Sequence, residues 1–317
     1  MKKIVILDAY GVNPGDMDWQ PVAALGSLTT YDRTSRDEIA ERCAGAEIVL
    51  TNKVPFDAAT IESLDACKYI GVLATGYNLI DLDAARKKGI VVTNIPAYST
   101  DSVAQNVFAL LLAITNHVEE YSIRNRQGRW AQCKDFCYLD FPLMELSGKR
   151  MGIVGFGNIG QAVARIARAF GMNVGVYSSK PQEKLPEVRK MSMDEIFSEC
   201  DVVSLHCPLA PDTRNLVDAR RLAMMKPTAI LINTGRGPLV DEQALADALN
   251  SGKIYAAGLD VLSTEPPKAD NPLLTARNCF ITPHISWAST EARVRLIDIA
   301  AHNIAAYLEG RPVNVVD

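Results

Sequence analysis

The sequence predicts an α/β protein built from two doubly wound parallel sheets. Three observations carry that prediction. The chain has 317 residues, more than one core comfortably serves. Short apolar, β-branched runs alternate with helical patterns along most of it, as in a parallel sheet covered on both faces. A glycine-rich turn, "MGIVGFGNIG", opens the second series directly after an apolar strand.

The first series places strands at Lys3 to Leu7, Glu47 to Leu50, Tyr69 to Leu73 and Ile90 to Thr93. Helices are expected between them, near Asp37 to Arg42, Ala58 to Leu64 and Asp81 to Lys88. One long helix is expected next, from an N-cap at Asp101 to about Arg124. Val103, Val107, Leu110, Leu111 and Ile114 recur at helical spacing, and such a helix could cross between domains. The irregular segment that follows holds Trp130, Phe136, Tyr138 and Phe141. Two readings stand for it: a cover over a local core, or a contact with another subunit. The second series predicts strands at Met151 to Val154, Asn173 to Tyr177, Asp201 to His206, Thr228 to Asn233, Tyr255 to Leu259 and Cys279 to Thr282. Ser192 and Glu195 have the spacing of a capping box. A last helix is expected from Thr290 to Leu308, stopped by Gly310.

Composition excludes several classes. Apolar residues make up 48% and charged residues 22%, with net charge −4. That is ordinary for a globular enzyme and gives no basic footprint for nucleic acid or an anionic membrane. "VFALLLAI", Val107 to Ile114, is far too short to span a bilayer. The apolar stretch near the N-terminus ends at Asp8 and reads as a first buried strand rather than a signal peptide. Seven scattered cysteines without a CxxC argue against a disulfide framework or a zinc site, and a reducing cytoplasm fits.

Gly155, Gly157 and Gly160 form G-x-G-x-x-G between a strand and the helical run "QAVARIARAF". The glycines serve a tight turn, room for a pyrophosphate and close helix–strand packing. The helix N-terminus then offers free N–H groups to that pyrophosphate. This context predicts a Rossmann-like dinucleotide site. An acid is expected about 20 residues on, gripping the adenosine ribose. The chain instead carries Ser178, Ser179 and Lys180 after "NVGVY". Two hydroxyls and a cation suit a 2′-phosphate better than a bare ribose, which leans the cofactor reading from NAD toward NADP.

Three further stretches end on polar groups past predicted strands, where open α/β sheets put their ligands. "NTGRGPLVDE" carries Arg236, "GLDVLSTEPP" carries Asp260 and Glu265, and "TPHISW" carries His284. A guanidinium clamps a carboxylate and polarises a carbonyl. An imidazolium donates a proton as hydride arrives at carbon, and a carboxylate beside it favours the charged ring. A lone His among apolar neighbours is more often structural; it is the company of Arg236, Glu265 and the glycine turn that points His284 to catalysis. His206 reads as structural or cofactor-lining, and His117 and His302 as ordinary helical residues. Trp287 either roofs a substrate pocket or packs between the domains.

These motifs resemble the D-2-hydroxyacid dehydrogenase family. The likeness rests on "GFGNIG", "HCPLAPDTRNL", "INTGRG", "GLDV…EP" and "PHIS", and covers nearly the whole chain. "TNKVPFDAATI", "YIGVLATGYNLIDLDAARKKGI", "YSTDSVAQNVFALLL" and "HISWASTEAR" look like its branch of bacterial glycerate dehydrogenases, also called hydroxypyruvate reductases. The resemblance implies two Rossmann-like domains with an interdomain active-site cleft. Residues 1–100 plus 288–317 would form a flavodoxin-like catalytic domain, and 101–287 the dinucleotide-binding one. It implies reversible reduction of hydroxypyruvate or glyoxylate by NADH or NADPH, in a cytoplasmic homodimer with 101–150 as a contact region. It casts Arg236, Glu265 and His284 as catalytic, and Thr75, Gly76 and Arg236 as substrate-binding; Trp287 joins the substrate-binding set on the reading that it roofs the pocket. Around the cofactor it places Cys207, Pro208 and Asp260. With the residues read above, the cofactor set is Gly155, Gly157, Asn158, Ile159, Gly160, Ser178, Ser179, Lys180, Cys207, Pro208, Thr213, Thr234, Asp260 and Val103, with no metal. Ser178 departs from the family, whose NAD-using members usually carry Asp there. Two alternatives stay open: another 2-hydroxy acid of the family, or an NAD(H)-sensing corepressor on the same fold.

Overall fold

The computed structural model describes residues 1–185 and 187–316. Its strands are β1 (Lys3–Ile6), β2 (Ser27–Thr30), β3 (Ile48–Thr51), β4 (Tyr69–Val72), β5 (Val91–Thr93), β6 (Arg150–Val154), β7 (Asn173–Tyr177), β8 (Arg189–Lys190), β9 (Val202–Leu205), β10 (Ile230–Asn233), β11 (Ala256–Leu259) and β12 (Cys279–Ile281). They form two parallel sheets, ordered β2-β1-β3-β4-β5 and β12-β11-β10-β9-β6-β7-β8. The α/β class and the two parallel sheets are those the sequence predicts.

The chain divides into two compact units, Met1–Ser99 with Ala288–Asp317, and Thr100–Trp287. In the first, Val5, Val49, Ile70 and Val92 of the sheet pack with Ile39, Phe56, Ile61 and Ala85. Aspartates start its short helices: Asp57 accepts from Thr60 N at 2.9 Å and Asp81 from Ala84 N at 2.9 Å.

In the second unit, every residue of β9, β10 and β11 is buried. That explains their unbroken apolar runs, since helices cover both faces of the sheet. One face meets Phe197, Leu222, Leu245 and Leu249, and the other meets Val107, Leu111, Ile114, Val163 and Ala167. The switch from β6 to β9 on one side and β7 on the other makes a crevice at the carboxyl ends of these strands, where ligands of such sheets bind.

Four expectations are corrected. The long helix is two, Thr100–Asn116 and Val118–Arg126. His117 separates them in a left-handed conformation, φ 49°, a backbone feature that the apolar spacing, which ends at Ile114, does not reveal. His117 is therefore a joint rather than an ordinary helical residue; its ring stacks on Phe141 at 4.8 Å. Asp101 lies in the first turn rather than at the N-cap. Strands β2 and β8, which the sequence does not flag, are sheet edges. β2 is mostly exposed and polar, and β8 is two exposed residues, so neither shows an apolar run. The capping box at Ser192 and Glu195 and the helix Thr290–Leu308 are present, and Gly310 follows that helix at φ 76°. Among the described residues no helix is long and apolar enough to cross a membrane.

Candidate active site

The glycine turn follows β6. Gly155 sits at φ +95°, a region costly to any other residue. A Cβ on it would lie 2.6 Å from the backbone of His206 and Cys207, so the turn is pressed against the end of β9. At Gly160 a Cβ would meet Gly155 O at 2.3 Å, so this glycine brings the helix Asn158–Ala169 onto the turn. Gly157, the N-cap, is different: a Cβ there meets nothing within 4 Å. Its bareness leaves a hollow above the helix N-terminus, where Asn158 and Ile159 open the first turn and the free N–H groups suit a pyrophosphate. The residues present fit a dinucleotide.

Beyond β7, Ser178, Ser179 and Lys180 form the neighbouring corner. Ser178 Oγ accepts from Lys180 N at 3.2 Å, and Lys180 Nζ donates to Phe156 O at 3.1 Å, across the glycine turn. A second cation reaches this corner: Lys190 of β8 donates from Nζ to Lys180 O at 2.8 Å. Sequence reasoning missed Lys190, because β8 is too short to reveal which residue it aligns beside β7.

His284 and Glu265 are brought together. His284 Nδ1 lies 2.6 Å from Glu265 Oε2. Glu265 Oε1 accepts from Leu262 N at 3.1 Å, so the carboxylate spans its own loop and the ring. Nδ1 facing a carboxylate carries hydrogen, and His284 Nε2 has no hydrogen-bond partner among the described residues. Such a pair fixes the ring so that Nε2 is the nitrogen that faces outward.

His284 is held at φ +56°, strained for a non-glycine residue, and Asp260 supplies the restraint. Its carbonyl accepts from His284 N at 2.8 Å. Its carboxylate, in a residue only 1% exposed, accepts from Thr282 Oγ1 at 2.6 Å, Ile285 N at 2.9 Å and Ser286 N at 2.9 Å. Trp287 Nε1 donates to His284 O at 2.9 Å, and Ser102 Oγ to Ser286 O at 2.7 Å.

Arg236 is not hydrogen-bonded to His284 or Glu265 among the described residues. Its side chain is exposed and donates from Nη1 to Gly235 O at 2.8 Å. Its loop is nevertheless pressed on Glu265's loop, since a Cβ on Gly237 would fall 1.9 Å from Leu262 C. Thr234 is buried and its Oγ1 has no hydrogen-bond partner among the described residues. Val103 is buried on the helix Thr100–Asn116. Cys207 is half-buried and Pro208 exposed, while Thr213 Oγ1 donates to Pro208 O at 2.8 Å and so holds that loop closed. In the other unit, Thr75 Oγ1 donates to Ile95 O and Asn94 Nδ2 to Thr75 O, both at 2.8 Å, leaving Thr75 exposed beside Gly76. No group of three or more His, Cys, Asp or Glu among the described residues is placed to hold a metal ion.

His206 serves packing. Although the residue keeps some exposure, Nε2 lies 2.8 Å from the hydroxyl of fully buried Ser204, and burial pushes the imidazole down to about 4. The unfolded chain takes up a proton near the ordinary 6.5, whereas the folded one resists until about 4. This site's stability is thus complete above 6.5 and declines as pH falls through that window, by at most about 3 kcal/mol. Denaturant unfolding at pH 7 and pH 4.5 should show this decline in the parent and a shallower one in His206→Gln. Equal slopes would mean that His206 is protonated in the fold.

Residues 108–286 match the family described as D-isomer specific 2-hydroxyacid dehydrogenase, NAD binding domain. Over 320 residues the chain is 51% identical to a hydroxypyruvate reductase of Blautia hydrogenotrophica, covering 99% of each. It is 43% identical to a glycerate dehydrogenase of Methylorubrum extorquens, over 100% of this chain and 99% of that one. Among solved structures, an acyclic imino acid reductase in complex with NADPH and D-Arg superposes with a TM-score of 0.87 at 32% identity, covering 99% of this chain and 100% of that one. With the glycine turn, the His–Glu pair and these likenesses together, the chain belongs to the D-isomer specific 2-hydroxyacid dehydrogenase family and binds a nicotinamide cofactor.

Proposed function

We propose that the protein reduces hydroxypyruvate or glyoxylate to the corresponding D-2-hydroxy acid, reversibly. The carrying observation is the 2.6 Å contact between His284 Nδ1 and Glu265 Oε2, with Nε2 left for a substrate oxygen. A bound reduced nicotinamide supplies the hydride to the carbonyl carbon. His284 gives its Nε2 proton to the carbonyl oxygen as that carbon is reduced, which completes the hydroxyl. Glu265 keeps the ring oriented before and after transfer, and the neutral imidazole left behind takes a new proton from solvent. Arg236 turns from Gly235 O to the substrate's carboxylate and carbonyl. Thr75 and Gly76 are proposed to recognise the substrate's carboxylate through backbone N–H groups, and Trp287 to shield the ring. A panel of 2-keto acids assayed with NADH and NADPH tests this. Turnover of hydroxypyruvate or glyoxylate should exceed that of bulkier keto acids, and no turnover of either would refute the assignment.

For the cofactor, NADPH preference is supported by Ser178, Ser179, Lys180 and Lys190 gathered where an acid would grip the ribose. A charge-assisted hydrogen bond to a phosphate is worth about 1.5–3 kcal/mol, or roughly tenfold to a hundredfold in preference. Ser178→Asp should therefore swing kcat/KM toward NADH by at least about tenfold. A parent that strongly prefers NADH, little altered by the aspartate, would show that this corner does not read the 2′-position. Homodimerisation is proposed through residues 101–150, where Trp130, Phe136, Leu139 and Leu143 are exposed. A cytoplasmic site of action accords with the cysteine usage.

A further inference from the structure

Glu242 opens the helix Glu242–Asn250, a short way beyond Arg236 in the chain. Its carboxylate reaches out of that helix to a different loop. Oε1 accepts from Ser263 N at 2.7 Å, and Oε2 accepts from Asn271 Nδ2 at 2.9 Å. Asn271 is itself fixed, because its side-chain oxygen accepts from Leu273 N at 3.0 Å. The chain leaves the core at Leu262 and re-enters it at Leu273, and residues 263–270 between them are all exposed. Glu265 sits on that exposed stretch. One carboxylate therefore ties down both ends of the loop that presents Glu265.

The tie bears on geometry at the ring. Glu265 Oε1 accepts from Leu262 N at 3.1 Å while Oε2 meets His284 Nδ1 at 2.6 Å. Where Leu262 and Ser263 sit thus decides where the carboxylate meets the imidazole. The backbone of Gly237 already presses on Leu262 and Ser263 from one side, and Glu242 holds Ser263 from the same segment. We propose that Glu242 is a positioning residue for the Glu265–His284 pair, acting on the proton donor through the 263–271 loop. The proposal rests on the reading of His284 as the proton donor. A glutamate at a helix start also favours the helix dipole, but that role alone would not reach the chemistry.

A double-mutant cycle separates the two roles. The four proteins are Glu242→Ala, Glu265→Gln, their combination and the parent, with Glu242→Gln as a milder variant. Activity is measured with the best keto acid of the panel, and cofactor affinity by NAD(P)H fluorescence. Glu242→Ala should lower kcat by about tenfold to a hundredfold, the scale of a misplaced catalytic group, with cofactor affinity unchanged. Glu242→Gln keeps an acceptor for Ser263 N and should lose less. Both Glu242→Ala and Glu265→Gln should make reduction fail at a lower pH than in the parent. In the Glu265→Gln background, adding Glu242→Ala should cost less than about twofold, since the group it positions is gone. An equal loss in both backgrounds, or a parent-like kcat in Glu242→Gln and Glu242→Ala, overturns the proposal while leaving His284 and Glu265 in their roles. A parent-like Glu265→Gln overturns it together with the reading it rests on. If Glu242→Ala does not fold, Glu242→Gln carries the same cycle.

Discussion

Replacing His284 lowers kcat for keto-acid reduction by about 10²–10⁴-fold, the share of one acid–base group, and leaves the dissociation constant for NADH or NADPH nearly unchanged. His284 is held at φ +56°, so His284→Ala adds a backbone cost to the chemical one. His284→Asn is the cleaner variant, because asparagine tolerates the left-handed region and keeps a polar group beside Glu265. Both should be slow, and the asparagine variant should melt close to the parent. Near-normal kcat in His284→Asn would return this histidine to a structural role and leave Nε2 without a task. A rise in KM alone, with kcat kept, would instead make it a binding group.

Gly155→Ala and Gly157→Ala lie close together in the chain and should fail in opposite ways. At Gly155 the added methyl meets a forbidden φ of +95° and the backbone of His206 and Cys207 at 2.6 Å, and neither neighbour is a side chain that could swing aside. Strain and overpacking together cost about 3 kcal/mol, a fall in Tm of roughly 6–12 °C for a unit of this size. At Gly157 nothing lies within 4 Å and φ is an ordinary −79°, so Gly157→Ala should melt with the parent. Its methyl stands in the hollow left for a pyrophosphate, and cofactor affinity should drop by about tenfold or more. Calorimetry and a fluorescence titration on both variants decide it. If Gly157→Ala binds cofactor as the parent does, the dinucleotide does not approach this turn.

The buried strands of both sheets were legible, because parallel strands covered on two faces read as apolar runs. The edges β2 and β8 were not, since an exposed polar edge carries no such signal. The joint at His117 escaped because one left-handed residue redirects the chain, and side-chain spacing, whose apolar positions end at Ile114, carries no trace of backbone handedness. At the site, Glu265 and His284 lie 19 residues apart and were paired by chemistry and resemblance, since spacing alone says nothing of their contact. What escaped was the support around them. Asp260 read as an acid near the cofactor, yet its carboxylate is engaged by Thr282, Ile285 and Ser286. Glu242, inside the stretch "NTGRGPLVDE", was not singled out at all. Such partners are fixed by where loops fold back, and only periodic elements announce themselves in sequence.

His284, Glu265 and Arg236 all belong to the unit Thr100–Trp287, whereas Thr75 and Gly76 belong to the other. On the proposed assignments, the groups that move the proton and two of those that recognise the substrate lie on different compact units of the chain. Substitutions accumulating in the loops of Met1–Ser99 can then redirect which keto acid is accepted without touching the Asp260 restraint or the His–Glu pair.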